Sequence, residues 1–269
     1  MPQKTTRKFG LARALSKLGY CSRTRAAELI RAGRVSLNGQ ICRNPQAPVH
    51  DSTQIAIDGR AAQAHEKIYV MMNKPRGVIT TASDEKGRDT VYAILNKYSA
   101  PNSTPANHSQ PWVAPVGRLD KASEGLLLLT NDSEWGAQIA APETHLEKTY
   151  HVQIGTIADE DFLQRLLRGV KTKEAKTKGA QTKAATVLRA KQARRLRSGE
   201  KNCWLEIVLD EGKNRHIRRM MESLGVDVLR LVRVAIGPLQ LGDLAKGQCR
   251  ALTPDEKRML DRALRSRKL

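Results

Sequence analysis

Aromatic residues are scarce in this chain, with two Phe, three Trp and five Tyr among 269 residues. Leu, Ile, Val and Ala must therefore supply most of the core, which is feasible because hydrophobic residues make up 40% of the sequence. No apolar run approaches the roughly 18 residues that a transmembrane helix needs. The N-terminal segment is basic and lacks the apolar core of a signal peptide. These absences favour a globular protein without a membrane span.

Signatures of metals and nucleotide cofactors are also missing. Cys21, Cys42, Cys203 and Cys249 are widely scattered, as expected of reduced structural thiols in a cytosolic protein. The six His residues show no metal-ligand spacing. No Gly-x-Gly-x-x-Gly motif follows a strand, and residues 242–248 have Gln248 at the position where a phosphate-binding loop requires lysine. We expect no metal site and find no support for a dinucleotide-binding fold.

Acidic residues are few relative to basic ones. Lys and Arg total 47 against 27 Asp and Glu, which gives a net charge of +20 and a pI of about 10.2. Such a field favours nucleic acid, whose phosphates attract cations regardless of base sequence. An acidic membrane surface is the alternative partner. The charge therefore predicts a polyanionic partner but does not identify a reaction.

Residues 9–66 have the pattern of a small, self-contained domain. Leucines at helical spacing predict a first helix that ends at Gly19, and Ser22 is a suitable N-cap for a second. Asn38-Gly39 predicts a hairpin turn between two short strands, and a third strand covers residues 54–58.

Residues 1–66 carry 11 basic and 4 acidic residues, a net of +7. A solvated basic face would explain this excess, but its single sign favours a phosphate-binding surface on the two helices. The candidate contacts are Arg13, Arg23, Arg25 and Arg31.

A second domain is predicted from residue 67 to 254, followed by a C-terminal helix or tail at 255–269. It opens with an apolar strand, residues 68–72, and a turn at Asn73-Lys74-Pro75. Residues 97–115 contain four prolines and predict a loop. Residues 171–201 hold 11 basic and 2 acidic residues and predict a basic insertion, locally disordered without RNA.

The last third of the chain is strongly patterned. Residues 204–209 predict a strand, and Asn214 is a candidate cap for a helix through Ser223, with Ile217 and its i+3, i+4 neighbours on one apolar face. Residues 226–234 predict another strand, and Thr253-Pro254-Asp255-Glu256 has the form of a capping box. Strand pairs mixed with helices, without regular strand–helix–strand repeats, predict an α+β fold.

The segment 117–132 contains the strongest candidate for chemistry. Asp120 lies in a short stretch bounded by Gly117 and Gly125, and the apolar run 126–129 predicts a buried strand that would hold it rigidly. A lone Asp is more often a turn residue or an ion-pair partner. The helix after Asn214 carries several arginines. One of them, paired with Asp120, would keep the carboxylate ionised and oriented, as a nucleophile requires.

These residues identify a family resemblance. The chain resembles ribosomal-RNA pseudouridine synthases, in the branch of small-subunit synthase A and large-subunit synthases B, E and F. Residues 9–66 resemble the RNA-binding module named after ribosomal protein S four, and 67–254 the catalytic domain with its mixed, mainly antiparallel sheet. The segment 117–132 is the most specific match. Further matches, in the expected order, are Asn73-Lys74-Pro75, Glu147-Lys148-Thr149-Tyr150 and the segment 211–220.

The resemblance implies roles for individual residues. Asp120 falls on the aspartate that forms a covalent adduct, Tyr150 on the tyrosine that stacks on the base, and Arg218 on the basic partner of the aspartate. Arg118 falls on the arginine that occupies the space of the extruded nucleotide, and Ile217 on an apolar pocket contact. Lys74, Lys213 and Arg219 are further candidate RNA contacts. His216 departs from the family, since many relatives carry Gln there.

The resemblance also implies the reaction and its setting. It predicts isomerisation of uridine to pseudouridine in ribosomal RNA, without metal or organic cofactor, by a cytoplasmic monomer that binds no membrane. The form Asp-Lys-x-Ser-x-Gly favours large-subunit over small-subunit RNA. The alternative is an RNA-binding or ribosome-assembly factor that performs no chemistry, for which the net charge alone argues.

Overall fold

The computed structural model describes residues 9–50, 52–81, 87–99, 111–172 and 186–266. The first part of the chain forms a small domain of two helices and short antiparallel strands. Its elements are β1 (Phe9–Gly10), α1 (Leu11–Lys17), α2 (Arg23–Arg31), β2 (Val35–Leu37), β3 (Gln40–Ile41), β4 (Pro48–Val49), β5 (Ile55–Ile57) and β6 (Arg60–Ala61).

Local signals determine this domain, and their predictions are confirmed. The Ser22 side chain caps α2 by accepting a hydrogen bond from the Arg25 N–H at 3.1 Å. Asn38 and Gly39 both have positive φ, 48° and 83°, and connect β2 to β3. The apolar faces of α1 and α2 pack over β2 and β5, with Leu15 and Ile30 fully buried.

The second domain is built on a large sheet and a separate two-stranded sheet. Its strands are β7 (Tyr69–Lys74), β8 (Ala114–Val116), β9 (Glu124–Thr130), β10 (Lys148–Ile154), β11 (Val170–Thr172), β12 (Thr186–Leu188), β13 (Gln192–Ser198), β14 (Cys203–Leu209), β15 (Val228–Ile236), β16 (Leu239–Gln240) and β17 (Cys249–Ala251). Its helices are α3 (Val91–Ser99), α4 (Ser133–Ala140), α5 (Glu160–Arg168), α6 (His216–Ser223) and α7 (Pro254–Arg265), with a 3₁₀ turn at Pro142–Thr144.

The sheet has the strand order β13-β14-β10-β15-β9-β7-β17, with β16 beside β15 and β8 beside β9. Pairing is antiparallel except between β15 and β9. With helices packed around this mixed sheet, the α+β prediction is confirmed. No helix in the described ranges is both long and apolar enough to cross a bilayer.

Both faces of the sheet are buried at its centre. In β9, Leu126 and Leu128 pack in one apolar cluster while Leu127 and Leu129 pack in another on the opposite face. A strand covered on both sides needs apolar residues at every position, which explains the uninterrupted leucine run. The strand is therefore a rigid support for the residues that precede it.

Helix α7 is part of this core. Thr253 and Glu256 form the predicted capping box at its start, and Leu260 and Leu264 are buried in the cluster that contains Leu126. The segment after residue 254 is thus a helix packed on the large sheet, and residues 267–269 lie outside the described residues.

The two domains are joined by hydrogen bonds. Asn131, directly after β9, donates to the Glu66 carbonyl at 2.7 Å, and it also accepts from the Ile68 N–H, at the start of the second domain, at 2.8 Å. The Trp112 N–H donates to the Gly19 carbonyl at 2.9 Å. Lys17 of α1 forms an ion pair with Glu134 of α4.

Three predictions of local structure need correction. In the basic segment 171–201, residues 186–188 and 192–198 form strands, the latter because β13 adds antiparallel to the edge of β14; residues 173–185 lie outside the described residues. In 97–115, α3 extends to Ser99 and β8 begins at Ala114, and 100–110 lie outside the description. The cap of α6 is Arg215, whose φ of 48° is left-handed, and no side chain completes it.

Candidate active site

Residues 117–123, the Asp120 loop, connect β8 to β9 and are fixed by their backbone. Five consecutive carbonyl groups, from Leu119 to Ser123, each accept a hydrogen bond from outside the loop. The donors, in order, are Thr80 Oγ1, Lys74 Nζ, the Gly77 N–H, Arg218 Nη2 and again Lys74 Nζ, at 2.8, 3.2, 2.8, 2.9 and 2.8 Å. The loop is therefore clamped along its length, which leaves its side chains to face a ligand in a fixed arrangement.

The structure places Lys74, a predicted RNA contact, beneath the Asp120 loop. Its side chain is completely buried, and its ammonium donates to the carbonyls of Pro75, Asp120 and Ser123. Burial lowers the pKa of this ammonium from 10.5 to about 8. The Asn73-Lys74-Pro75 turn therefore supports the Asp120 loop from beneath, because β7 pairs directly with β9.

The end of the loop is held by charge and by close backbone packing. Glu124 is 3% exposed and accepts from Arg230 and Lys246, which lower the pKa of its carboxyl group. Gly125 has φ of +100°, and a Cβ atom there would lie 2.2 Å from the Arg233 carbonyl oxygen. Only glycine allows β9 to approach β15 this closely.

A cavity of ≈ 390 Å³ lies beside the Asp120 loop. Its walls come from the loop, from β10 and β15 of the sheet, and from the turn and first residues of α6. Asp120, Tyr150, Ile217 and Arg218 all line it, although they are up to 98 positions apart in the chain. The volume falls within the range of about 300–1,000 Å³ typical of small-ligand sites.

Asp120 and Arg218 share this cavity without direct pairing. Within the described residues, no ion pair or hydrogen bond engages the Asp120 carboxylate. Arg218 instead donates to the Ala122 carbonyl, two residues beyond Asp120. Burial and Arg215 lower the pKa of Arg218, and Asp120 acts in the opposite direction. The arginine thus positions the loop and contributes charge, while the carboxylate is left available to a ligand.

The apolar wall comes from β10 and α6. Tyr150 is half-buried on β10 and packs against two of the core clusters. Ile217 is 2% exposed. His216 is also buried, with neither ring nitrogen hydrogen-bonded within the described residues, and burial lowers the pKa of its imidazole below 6.5. Burial thus favours the uncharged ring, which lines the cavity as part of this wall.

Exposed cations surround the cavity mouth. Arg118 and Lys213, both predicted RNA contacts, line the cavity, and Arg215 joins them. Arg219, another predicted RNA contact, does not line the cavity. Its Nη2 instead donates to Thr172 on β11 at 2.7 Å. On the N-terminal domain, the four predicted contacts are all exposed: Arg13, Arg23, Arg25 and Arg31.

The arrangement is matched by known proteins. Residues 68–223 match the family described as RNA pseudouridylate synthase, and residues 10–55 match the S4 domain. The chain belongs to the RNA pseudouridylate synthase family. These enzymes are isomerases, and the S4 domain is an RNA-binding module, so the predicted family, enzyme class and fold are confirmed.

Individual relatives agree over nearly the whole chain. The ribosomal large subunit pseudouridine synthase B of Bacillus subtilis (strain 168) is 34% identical over 250 residues, covering 93% of this chain and 94% of the relative. The protein of that name from Yersinia pestis is 32% identical and covers 86% of this chain and 68% of its own length. A crystal structure of a pseudouridylate synthase superposes with a TM-score of 0.59 at 25% identity, covering 94% and 99% of the two chains.

Sequence reasoning missed two parts of this synthase site. Arg233 lines the cavity from the middle of β15, and the only local signal is that it is one of two arginines within an apolar strand. Glu124 was read as part of a motif, and its pairing with Arg230 and Lys246 had no local signal. Among the described residues, no group of three or more His, Cys, Asp or Glu side chains is placed to hold a metal.

Proposed function

We propose that this synthase isomerises a uridine of ribosomal RNA to pseudouridine, with large-subunit RNA as the preferred substrate. The observation that carries the proposal is the Asp120 carboxylate, which is free of protein partners within the described residues and lies in a cavity with Tyr150 and Arg218. The large-subunit activity in the names of the relatives from Bacillus subtilis and Yersinia pestis supports this substrate.

The cavity explains how a base reaches the carboxylate. A uridine in a helix is inaccessible, so its nucleotide must swing out, at a cost of a few kcal/mol in lost stacking. Tyr150 lines the cavity and offers an aromatic face to the extruded base, which contributes about 1–3 kcal/mol in single-strand binders. The cations at the mouth, Arg118, Lys213 and Arg215, are placed to hold the flanking phosphates.

Asp120 acts as the nucleophile in this proposal. Its carboxylate attacks C1′ and forms a covalent adduct as the N1–C1′ bond breaks, and the displaced uracil anion turns in the cavity. C5 then attacks C1′, which forms the C5–C1′ bond and breaks the bond between C1′ and Asp120. The proton on C5 is released and N1 gains a proton, so that the product is an isomer of the substrate. Arg218 keeps a positive charge beside the reacting groups and fixes the loop through Ala122.

RNA recognition is assigned to both domains. The exposed arginines of α1 and α2 and those of β13 provide two basic surfaces, one in each domain. We propose that both contact phosphates, which gives affinity without base specificity. The same proposal includes action in the cytoplasm as a monomer, without membrane binding.

Asp120→Asn tests the reaction. Large- and small-subunit rRNA transcripts labelled with ³H at uridine C5 are incubated with each protein, and released tritium reports formation of the C5–C1′ bond. We expect release with the native chain, none above background with Asp120→Asn, and normal release with Asp243→Asn, an exposed aspartate outside the cavity lining. Carbodiimide labelling of the product then maps the modified uridine.

The outcomes separate the two candidate functions. RNA binding by the native chain without tritium release from either rRNA would favour the binding-factor alternative, which the net charge of +20 supports. Near-normal release by Asp120→Asn would remove Asp120 from the mechanism. Release from small-subunit RNA alone would overturn the proposed preference for large-subunit RNA.

A further inference from the structure

Arg233 is a buried cation with unused hydrogen-bond donors. It is 5% exposed, its Nε donates to the Leu126 carbonyl at 2.7 Å, and its Nη2 is buried with no partner among the described residues. The ion pairs within those residues do not include it. A guanidinium has five N–H donors in a fixed plane and remains charged at all physiological pH values.

Such a group is expensive to retain for stability alone. A buried charge without a partner is strongly unfavourable, and buried polar groups are nearly always hydrogen-bonded. Here a second buried cation, Lys74, is close enough for Arg233 to oppose its charge. Met or Leu would fill the same volume of β15 at lower cost, so the unsatisfied donors are explained best by a ligand that accepts from them.

The position of Arg233 indicates which part of the substrate would accept its hydrogen bonds. Arg233 is directly opposite Tyr150 in the antiparallel pairing of β15 with β10, so both side chains lie on one face of the sheet, and both line the cavity. The exposed cations that suit phosphates lie at the mouth, whereas Arg233 lies on the buried floor. A base stacked on Tyr150 would therefore present its edge, rather than its phosphate, to Arg233.

We propose that Arg233 binds the flipped pyrimidine by donating a hydrogen bond to one of its carbonyl oxygens. This inference rests on the proposed function and names a base contact within the same site. A guanidinium can only donate hydrogen bonds. It therefore binds a carbonyl oxygen and disfavours an amino group in the same place. If the oxygen is O4, the same contact disfavours cytidine, which carries an amino group at that position.

Atomic substitution in the substrate tests the contact directly. Once the target is mapped, RNA oligonucleotides are prepared with uridine, 2-thiouridine or 4-thiouridine there, because sulfur accepts hydrogen bonds more weakly than oxygen. The native chain should be slower on one of the two thio substrates. Arg233→Met should lower kcat/KM on uridine by about 10- to 100-fold, the usual effect of losing a hydrogen bond to a charged group.

The combination of variant and substrate decides the result. On the thio substrate that replaces the contacted oxygen, the cost of Arg233→Met should shrink to less than about 3-fold, because the bond is already weakened. An equal cost on all three substrates would assign Arg233 a structural role only, and no cost on uridine would also overturn the inference.

Two controls protect this reading. Arg250→Met removes an arginine that is paired with Glu256 outside the cavity lining, and it should leave kcat/KM unchanged on every substrate. If Arg233→Met fails to fold, as judged by thermal unfolding, the thio substrates still test the native chain, and equal rates on all three would overturn the proposal. Failure of the native chain to convert any uridine would instead refute the proposed function.

Discussion

Replacing the buried Lys74 by Met should change the pH dependence of stability in a defined direction. Lys74→Met keeps most of the side-chain volume and removes the ammonium that bonds to the carbonyls of Pro75, Asp120 and Ser123. Burial lowers the pKa of that ammonium from 10.5 to about 8, which corresponds to about 3 kcal/mol of disfavoured charge in the folded protein.

The sign of the effect follows from proton linkage. Below pH 8 the ammonium is protonated in the folded and unfolded chain alike, so the full cost of burying the charge is present. Between pH 8 and 10.5 the unfolded chain holds a proton that the folded chain has released, and stability rises with pH. Relative to Lys74→Met, the native chain should therefore gain up to about 3 kcal/mol across this interval.

Urea unfolding of both proteins at several pH values from 7 to 10.5 measures this difference. Subtraction removes the titration of the other lysines, tyrosines and cysteines, which the two proteins share. Lys121→Met, at an exposed position of the same loop, is the matched control, and its difference from the native chain should not vary with pH. A flat difference for Lys74→Met would refute the reasoning.

The same variant separates loop support from RNA binding. Without its ammonium, the Asp120 loop loses two of its five carbonyl anchors. A shift of about 1 Å in a catalytic group can cost on the order of 100-fold in rate. Lys74→Met should thus lower the rate of tritium release while its affinity for RNA and the salt dependence of binding stay unchanged. Weaker and less salt-dependent binding by Lys74→Met would instead support a contact between Lys74 and RNA.

Three further predictions test other parts of the structure. Leu264→Ala should lower the free energy of unfolding in urea by about 2–5 kcal/mol, and a loss below about 0.5 kcal/mol would show that α7 is not part of the catalytic core. Arg250, with smaller contributions from Thr253, lowers the pKa of Glu256 from 4.5 to about 2. The stability that this ion pair contributes is present above pH 4.5 and is lost as the pH falls toward 2. The free energy of unfolding of the native chain should therefore fall more steeply over this interval than that of Arg250→Met, by at most about 3 kcal/mol. Parallel pH curves for the two proteins would argue against the ion pair. Exchanging Arg194, Arg195 and Arg197 of β13 for Gln should reduce the slope of log affinity against log salt by about 2–3, and an unchanged slope would exclude this strand from RNA contact. Point changes suit this test because β13 is an edge strand of the sheet, paired with β14.

Local patterns predicted most of the elements because the forces behind them are local. A capping side chain, a turn that needs positive φ, or an apolar face of period 3.6 acts over a few residues and can be read directly. Ser22, Asn38-Gly39 and the Thr253 capping box all form as predicted. The leucine run 126–129 likewise predicted a buried strand, since both faces of β9 are covered.

The errors arose where distant contacts decide the outcome. Strand β13 has no apolar alternation, and its hydrogen bonds to β14 are what hold it. The start of α6 is set by the left-handed backbone of Arg215 rather than by Asn214. The placement of Arg219 also depends on a distant contact, because its Nη2 donates to Thr172 on β11, and its role as an RNA contact stays a prediction.

By itself the sequence determined the family, the order of the domains and the identity of the candidate nucleophile, because a motif such as 117–132 encodes its own turns and strand. Only the tertiary structure decided that Lys74 lies beneath the Asp120 loop, that Arg218 reaches Ala122, and that Arg233 lies beside Tyr150. These contacts join residues tens of positions apart, and a charged side chain reads identically in sequence whether it is buried or exposed. Burial and pairing across the sheet, which no local pattern records, distinguish a structural cation from one that meets the substrate.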